Sequence, residues 1–250
     1  MYKRQTEPSA LIPPVLQAVH IRFLNASTAP FPIDVLIDGM EHLQNSSFGT
    51  VSQYIPMADG FHKIAVRSRA GLRPVLFQGV FPFPAGQKIT FSIADSPSGS
   101  ITIIPVSNAG CFHCPARCGC YRIANMTFSG SSYDIRTPSG ERVFCSISFG
   151  QSAPYKPVSA GSYLFFTAAP SGCSPVRDLP IILQSFLAGS PKPDNVLSEI
   201  PVEIEAGMNY TTYLIGNTWS SFRLQSITIK DDLENCLLYT SDAADDMQCV

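Results

Sequence analysis

The chain has 250 residues, of which 45% are hydrophobic and only 14% are charged, and its formal net charge is −2. This balance provides no basic surface for nucleic acid or anionic lipid, and no apolar run reaches the roughly 18 residues that a membrane helix needs. The composition therefore excludes those two classes and predicts a soluble, β-rich protein of one or two domains with enough apolar residues for a core.

The two ends of the chain do not share the pattern of the rest. Residues 1–5 (MYKRQ) and 236–250 (CLLYTSDAADDMQCV) resemble translated sequencing-adapter read-through of a metagenomic fragment. We therefore expect residues 1–16 to be an adapter scar followed by a Pro-rich linker, and residues 232–250 to be a non-native or disordered tail. Without the two cysteines of that tail, six of the eight cysteines remain.

The region between the ends is typical of short β-strands separated by turns. Apolar and polar residues alternate at residues 19–24, and the β-branched run that follows ends at the turn dipeptide Asp38-Gly39. The best helical candidate, Leu179–Leu187, has a proline at its second residue, Pro180, and is weak. Such a pattern predicts a sandwich or a barrel. We predict strands at residues 19–24, 33–39, 63–67, 88–93, 100–105, 121–123, 133–136, 162–166, 209–215 and 222–225.

The same ordered set of residues occurs twice, which indicates an internal duplication. We predict a first domain at residues 17–107 and a second at 119–231, joined by a Cys-rich linker at residues 108–118 that acts as a thiol-bearing hinge between two separate apolar interiors. The second domain carries an insertion at about residues 174–198, which we expect to be a loop. The matched pairs are Arg22 and Arg122, Asn25 and Asn125, Asp34 and Asp134, Phe48-Gly49 and Phe149-Gly150, Tyr54 and Tyr155, and Ala85-Gly86 and Ala206-Gly207.

The motifs of the first copy resemble a known family. Their order is R-x-x-N-A-S, D-V-x-x-D-G, F-G-x-x-x-x-Y and A-G-x-x-x-T, and it is similar to that of the bacterial domain-of-unknown-function family numbered 4397, which often occurs in tandem. The second copy departs from this pattern, because Met126-Thr127 replaces Ala-Ser and Pro138-Ser139-Gly140 replaces the Asp-Gly turn. The resemblance implies an all-β fold of two tandem immunoglobulin-like or transthyretin-like β-sandwich domains. It also implies a cell-surface or secreted protein, with no established catalysis.

Four cysteines within ten residues of the linker form the sharpest local feature. Thiolates at C-x2-C spacing can converge on zinc or copper(I), so the cluster is a candidate metal site with zinc as its possible cofactor. Disulfides are an equally open alternative, because six cysteines, with Cys145 and Cys173 included, allow 15 pairings, and an oxidising compartment favours them. A third alternative is a linker of unpaired thiols. The candidate ligands are Cys111, Cys114, Cys118 and Cys120.

No sequence motif indicates catalysis. The chain lacks a G-x-S-x-G elbow, a P-loop and a G-x-G-x-x-G turn. A glycosidase site could recruit Asp34 and Asp38, or their neighbours Asp59 and Asp95. However, Asp34 recurs as Asp134, which a structural role explains more simply. Arg22 recurs as well, so we hypothesise an Arg22–Asp34 contact inside each copy. We predict no catalytic residues, no enzyme activity and no cofactor other than possible zinc.

Aromatic residues provide the remaining candidate surface. Tyr54, Phe81, Phe83 and Trp219 could stack on a carbohydrate or a peptide, although core positions explain most of them equally well. Pro82, beside them, suits an edge strand. We therefore expect a non-catalytic structural or binding module of the bacterial cell envelope or surface, with a protein or carbohydrate partner. The alternative is an intracellular or spore-associated assembly protein whose cysteine loop binds metal or cross-links chains.

Overall fold

The predicted all-β class is confirmed. The computed structural model describes residues 18–111, 113–129, 131–170, 195–217 and 221–231, and these residues contain 16 β-strands and no helix. The weak helical candidate Leu179–Leu187 lies outside the described residues, as does most of the predicted insertion loop. The last residues assigned to that loop belong instead to a strand that begins at Val196.

Eight strands form a first unit of two facing sheets. The first sheet has the strand order β4-β1-β7-β8 and the second β3-β2-β5-β6. Only β1 and β7 pair in parallel; the other pairs of this unit are antiparallel. The strands are β1 (Val19–Asn25), β2 (Ile33–Ile37), β3 (Met40–Ser46), β4 (Ile55–Met57), β5 (Gly60–Ser68), β6 (Val75–Phe83), β7 (Lys88–Asp95) and β8 (Ile101–Ser107).

The next eight strands form a second unit with the same arrangement. Its sheets have the orders β12-β9-β15-β16 and β11-β10-β13-β14, and its one parallel pair is β9 with β15. Each strand therefore occupies the place of the strand eight numbers earlier. The strands are β9 (Cys118–Asn125), β10 (Tyr133–Arg136), β11 (Arg142–Ile147), β12 (Lys156–Ser159), β13 (Gly161–Ala168), β14 (Val196–Ile204), β15 (Asn209–Ile215) and β16 (Gln225–Lys230).

One hairpin shows how a sequence difference between the units changes local structure. Ile37 pairs with Met40 across the two-residue turn Asp38-Gly39, and both turn residues have positive φ, 50° and 87°. A turn of this kind favours Asp-Gly because both central residues need the left-handed region. In the second unit Arg136 pairs with Arg142, so Pro138-Ser139-Gly140 lies in a longer connection between the same two strands.

Three apolar clusters hold the fold together, and the third corrects the predicted hinge. One fills the first sandwich around Phe23 and Phe91, and one fills the second around Tyr121 and Phe165, as two separate interiors require. The third contains Leu24 and other residues of the first unit together with residues of the second. The linker therefore does not join the units alone, because the β1–β7 sheet packs directly against the β9–β15 sheet.

The predicted strands are those with strong apolar alternation. Nine of the ten predicted segments overlap a strand at its expected place, but the last was placed too early: it ends at Gln225, where β16 begins. Six strands lie outside the predicted segments: β3, β4, β6, β11, β12 and β14. β3 was missed because it is largely polar and exposed, and β6 because it contains Gly79 and Pro82. β6 is an edge strand, which confirms the place expected for Pro82.

Candidate functional site

The third apolar cluster, which we call the joint, is where the two units meet. Its buried members come in matched sets from both units. The contacts are reciprocal: a Cβ on Gly49 would lie 3.6 Å from the Cδ1 of Ile227, and one on Gly150 would lie 3.7 Å from the Cδ1 of Ile104. The two isoleucines hold equivalent places opposite Tyr213 and Ser92. Such reciprocity is the pattern of a two-fold interface. The buried residues are Leu24, Ala26, Ala94, Val106, Ala124, Met126, Tyr213 and Ile215.

Arg22, on β1, crosses the joint from the first unit into the second. Its Nε donates to Thr90 Oγ1 at 2.9 Å, and its guanidinium lies 4.4 Å from the ring centre of Tyr54. Across the joint, Nη2 donates to the carboxylate of Asp231 and Nη1 to the carbonyl of Lys230. The ion pair is fully enclosed, because the side chains of Arg22 and Asp231 are 4% and 0% exposed.

Arg122, on β9, makes the reverse crossing. Its Nε donates to Thr211 Oγ1 at 3.0 Å, and its guanidinium lies 4.2 Å from the ring centre of Tyr155. Nη2 then donates to Asn108 Oδ1 at 2.7 Å and to the carbonyl of Ser107 at 2.8 Å. The backbone N–H of Asn108 donates to the carbonyl of Lys88 at the start of β7, and that of Asp231 donates to the carbonyl of Asn209 at the start of β15. Asn108 and Asp231 are therefore equivalent positions, and the two arginines that reach them differ in the chemistry of these partners.

The carboxylate of Asp231 and the amide of Asn108 form hydrogen bonds of opposite direction with the hydroxyls around them. Asp231 accepts hydrogen bonds from Thr211 Oγ1 at 2.6 Å and from the Tyr155 hydroxyl at 2.8 Å. Asn108 instead donates through Nδ2 to Thr90 Oγ1 and to the Tyr54 hydroxyl, both at 2.7 Å. A hydroxyl can donate or accept by rotating. The same scaffold therefore serves a charged and a neutral partner.

Burial and charge keep the joint in one ionisation state. Burial alone lowers the pKa of Arg22, but the carboxylate of Asp231, with the phenols of Tyr54 and Tyr213, outweighs burial and raises it. Burial and then the charge of Asp231 raise the pKa of both Tyr155 and Tyr213. The arginine is thus charged and the tyrosines neutral near neutral pH. These buried ion-pair and hydrogen-bond contacts fix the two units together.

The hypothesised contact between Arg22 and Asp34 is wrong. Asp34 lies in the other sheet of the first unit, where it accepts the backbone N–H of Asn45 at 2.8 Å and faces Arg69 at 3.5 Å. Asn45 has a φ of 53° at a bulge between β2 and β3. Asp134 does the same for Ser146, whose φ is 48°. The recurrence of this aspartate is structural, as the simpler alternative held: the carboxylate fixes a left-handed bulge.

The cysteine linker contains both oxidised and free sulfurs. Cys111 and Cys120 form a disulfide, so the disulfide alternative holds for this pair, while Cys114 and Cys118 are free thiols. Four thiolates are therefore not brought together around a metal ion. Among the residues that the structure describes, no group of three or more His, Cys, Asp or Glu side chains could hold one. Cys145 is also disulfide-bonded, and Cys173 lies outside the described residues.

The three aromatic candidates that the structure describes do not form a stacking platform. Tyr54 is 7% exposed and lies under Arg22 at the joint, and Phe83 is 1% exposed in the first interior. Phe81 packs against the same interior, and Trp219 lies outside the described residues. The core interpretation is therefore confirmed for the three that the structure describes.

One family model matches the first unit of the chain. Residues 19–111 match the family model of DUF4397, a domain of unknown function. The match confirms the resemblance over the first unit, from the start of β1 to the first cysteine of the linker. No curated protein matches the chain. Within the described ranges, no helix is long and apolar enough to cross a membrane.

The repeat predicted the arginine and the tyrosine of each crossing but not the residue that the arginine reaches in the other unit. The recurrence of Arg22 with Arg122 and of Tyr54 with Tyr155 marked the inner residues of the joint. Asn108 and Asp231 were not recognised as a matched pair, because one copy has an amide where the other has a carboxylate. A repeat identifies equivalent positions within two copies, but it carries no information on contacts between them.

Proposed function

We propose that the chain is a non-catalytic structural or binding module of the bacterial cell envelope or surface. The Cys111–Cys120 disulfide carries this proposal, because disulfides persist in oxidising compartments and are rare in the cytosol. The oxidised state of Cys145 adds to it. The buried contacts between the units support a role that needs fixed geometry between two domains.

We further infer that the second unit is a diverged copy of the DUF4397 domain that precedes it. The identical strand orders and the reciprocal contacts of Arg22 and Arg122 support this origin. A fused pair whose joint has two-fold character suits a rigid spacer or presenting element, because the relative orientation of the domains is set twice by the same interactions.

The experiment follows the chain in its source bacterium. Intact cells are treated with protease, and the thiols of the chain are trapped with an alkylating reagent before lysis. We expect the chain to be cleaved by the external protease, with Cys111 and Cys120 protected from alkylation by their disulfide. A chain that survives protease until lysis and has both cysteines alkylated would overturn the proposal. The matched control is Cys111→Ser with Cys120→Ser, whose folding is checked by circular dichroism.

A second candidate is an intracellular or spore-associated assembly protein cross-linked through its cysteine loop. The free, partly exposed thiol of Cys114 favours it. In that case non-reducing electrophoresis of the native protein shows covalent dimers that disappear in Cys114→Ser. Monomers in both samples would leave the envelope module as the supported function.

A further inference from the structure

The cysteine linker folds back on the strand that it enters. Cys111 bonds covalently to Cys120, and inside this pair the thiol of Cys114 donates to the carbonyl of Cys118 at 3.1 Å. The reversal is made by a turn in which Cys118 N–H donates to Pro115 O at 3.1 Å. Arg117, at the end of the turn, has a left-handed φ of 67°. The two cysteine pairs are therefore concentric, one inside the other around the same turn.

We propose that Cys114 and Cys118 are a second oxidation site and form a disulfide nested within Cys111–Cys120. Both are thiols in the structure, and the hydrogen bond already places the sulfur of Cys114 over the backbone of Cys118. The outer bridge holds the two arms of the loop together, so closing the inner pair requires little further ordering of the chain.

The strand itself disfavours the competing pair. Cys118 and Cys120 are two residues apart on β9, which separates their Cα atoms by about 6.6 Å in an extended strand, near the upper limit for a disulfide. The backbone between them cannot shift readily, because Gly207 N–H donates to Cys118 O and Cys120 N–H donates to Met208 O, each at 2.8 Å. A Cβ on Gly119 would lie 2.5 Å from Glu205 O, so the strand is tightly seated. Cys114, on the loop, is the partner that can move.

The reaction needs a small-molecule disulfide as oxidant. The thiolate of Cys114, the more exposed of the two, attacks one sulfur of the oxidant, forming a mixed disulfide and releasing one small thiolate. Cys118 sulfur then attacks the sulfur of Cys114, which releases the second small thiolate. The two protons lost by the cysteines end on the two released thiols. Burial, and then the charge of Cys118, raise the pKa of Cys114, so the first step accelerates as pH rises toward 9.

The test uses the purified full chain, never exposed to reductant, in a series of oxidised glutathione concentrations. Peptide mapping after alkylation measures Cys114 and Cys118 separately. In the parent protein we expect both thiols to disappear together, without a retained glutathione adduct. In Cys118→Ser we expect a stable glutathione adduct on Cys114, because the resolving sulfur is gone. In Cys114→Ser the buried Cys118 stays a thiol.

Two results would overturn the nested pair. One is a parent protein that accumulates the glutathione adduct on Cys114 while Cys118 stays alkylatable. The other is a parent protein in which Cys118 becomes linked to Cys111 or Cys120. The inference rests on the proposed function only for its occurrence in the cell, where an extracytoplasmic site supplies the oxidant. Because this test is made in solution, its failure leaves the protease and trapping result of the envelope proposal standing, and the reverse also holds.

Discussion

The two crossings of the joint use the same arginine but different partners. Arg22 reaches a carboxylate, Asp231, whereas Arg122 reaches the amide of Asn108. Around both arginines the threonine, the tyrosine ring and the carbonyl acceptor are equivalent. The difference teaches that the geometry of the joint does not require a counter-charge at each arginine. It also makes one crossing an ion pair and the other a charge-assisted hydrogen bond.

The largest expected effect separates the two arginines. Arg22→Met leaves the carboxylate of Asp231 buried without its counter-charge, and breaking a buried pair in this way costs about 3–5 kcal/mol. Arg122→Met leaves only neutral acceptors, the amide oxygen of Asn108 and the carbonyl of Ser107, short of a donor, which costs about 1–3 kcal/mol. Denaturant unfolding measures both free energies. Equal losses in the two variants would show that the partner chemistry does not matter.

Met126 tests the apolar part of the joint. Its counterpart at the start of the first copy is Ala26, and both are fully buried in the joint. Met126→Ala removes the apolar contacts of one side, and such a truncation costs about 3 kcal/mol when the cavity stays open. Met40→Ala is the matched control, because Met40 is 65% exposed. If the two variants unfold at the same denaturant concentration, the joint is not a packed interior.

Exchanging the partner chemistry sharpens the comparison. Asp231→Asn makes the first crossing resemble the second, since an amide can accept from Arg22 while Thr211 and Tyr155 rotate to accept from it. We expect a loss of about 1 kcal/mol, well below that of Asp231→Leu, which removes the counter-charge of Arg22 and the acceptor of its Nη2 and costs about 3 kcal/mol. Thermal unfolding ranks the two variants. If Asp231→Asn lowers the stability as much as Asp231→Leu, the hydroxyls of Thr211 and Tyr155 do not rotate to accept from the amide.

The smallest expected effect concerns a turn that only the first unit has. Hydrogen bonds from the backbone N–H of Lys63 and from His62 hold the pKa of Asp38 below its usual value. A carboxyl with a lowered folded pKa stabilises the fold above its unfolded pKa, about 3.9. That stability is lost as pH falls through the folded pKa. Asp38→Asn should therefore show a slightly shallower acid destabilisation below about pH 4. The exposed Asp59→Asn is the control, and identical acid profiles for parent and Asp38→Asn would contradict the assignment.

The sequence predicted the repeated parts of the molecule and missed what joins them. Strands such as β1 and β7 have clear apolar alternation or turn signals, so the two-sandwich plan could be predicted. Edge strands such as β3 could not, because they bury little and their residues are polar. Asp231 was assigned only to the end of the second domain, because nothing local distinguishes a carboxylate that ends a strand from one that meets an arginine about two hundred residues away.

The cysteines show the same limit. Their density marked the linker as special, but the spacing C-x2-C-x3-C-x-C fits a metal cluster and several disulfide patterns equally well. The pairing of Cys111 with Cys120 depends on the loop folding back against β9. That reversal needs a left-handed residue, which here is Arg117 rather than glycine. No composition rule indicates it.

The central claim is that the joint makes two sandwiches into one cooperative body. Scanning calorimetry of the unreduced full chain tests it most directly. The account predicts a single transition whose calorimetric and van't Hoff enthalpies agree, because neither unit can unfold without exposing the shared cluster and separating Arg22 from Asp231. Two resolved transitions, each with the enthalpy of about one hundred residues, would show that the units unfold independently and would contradict it.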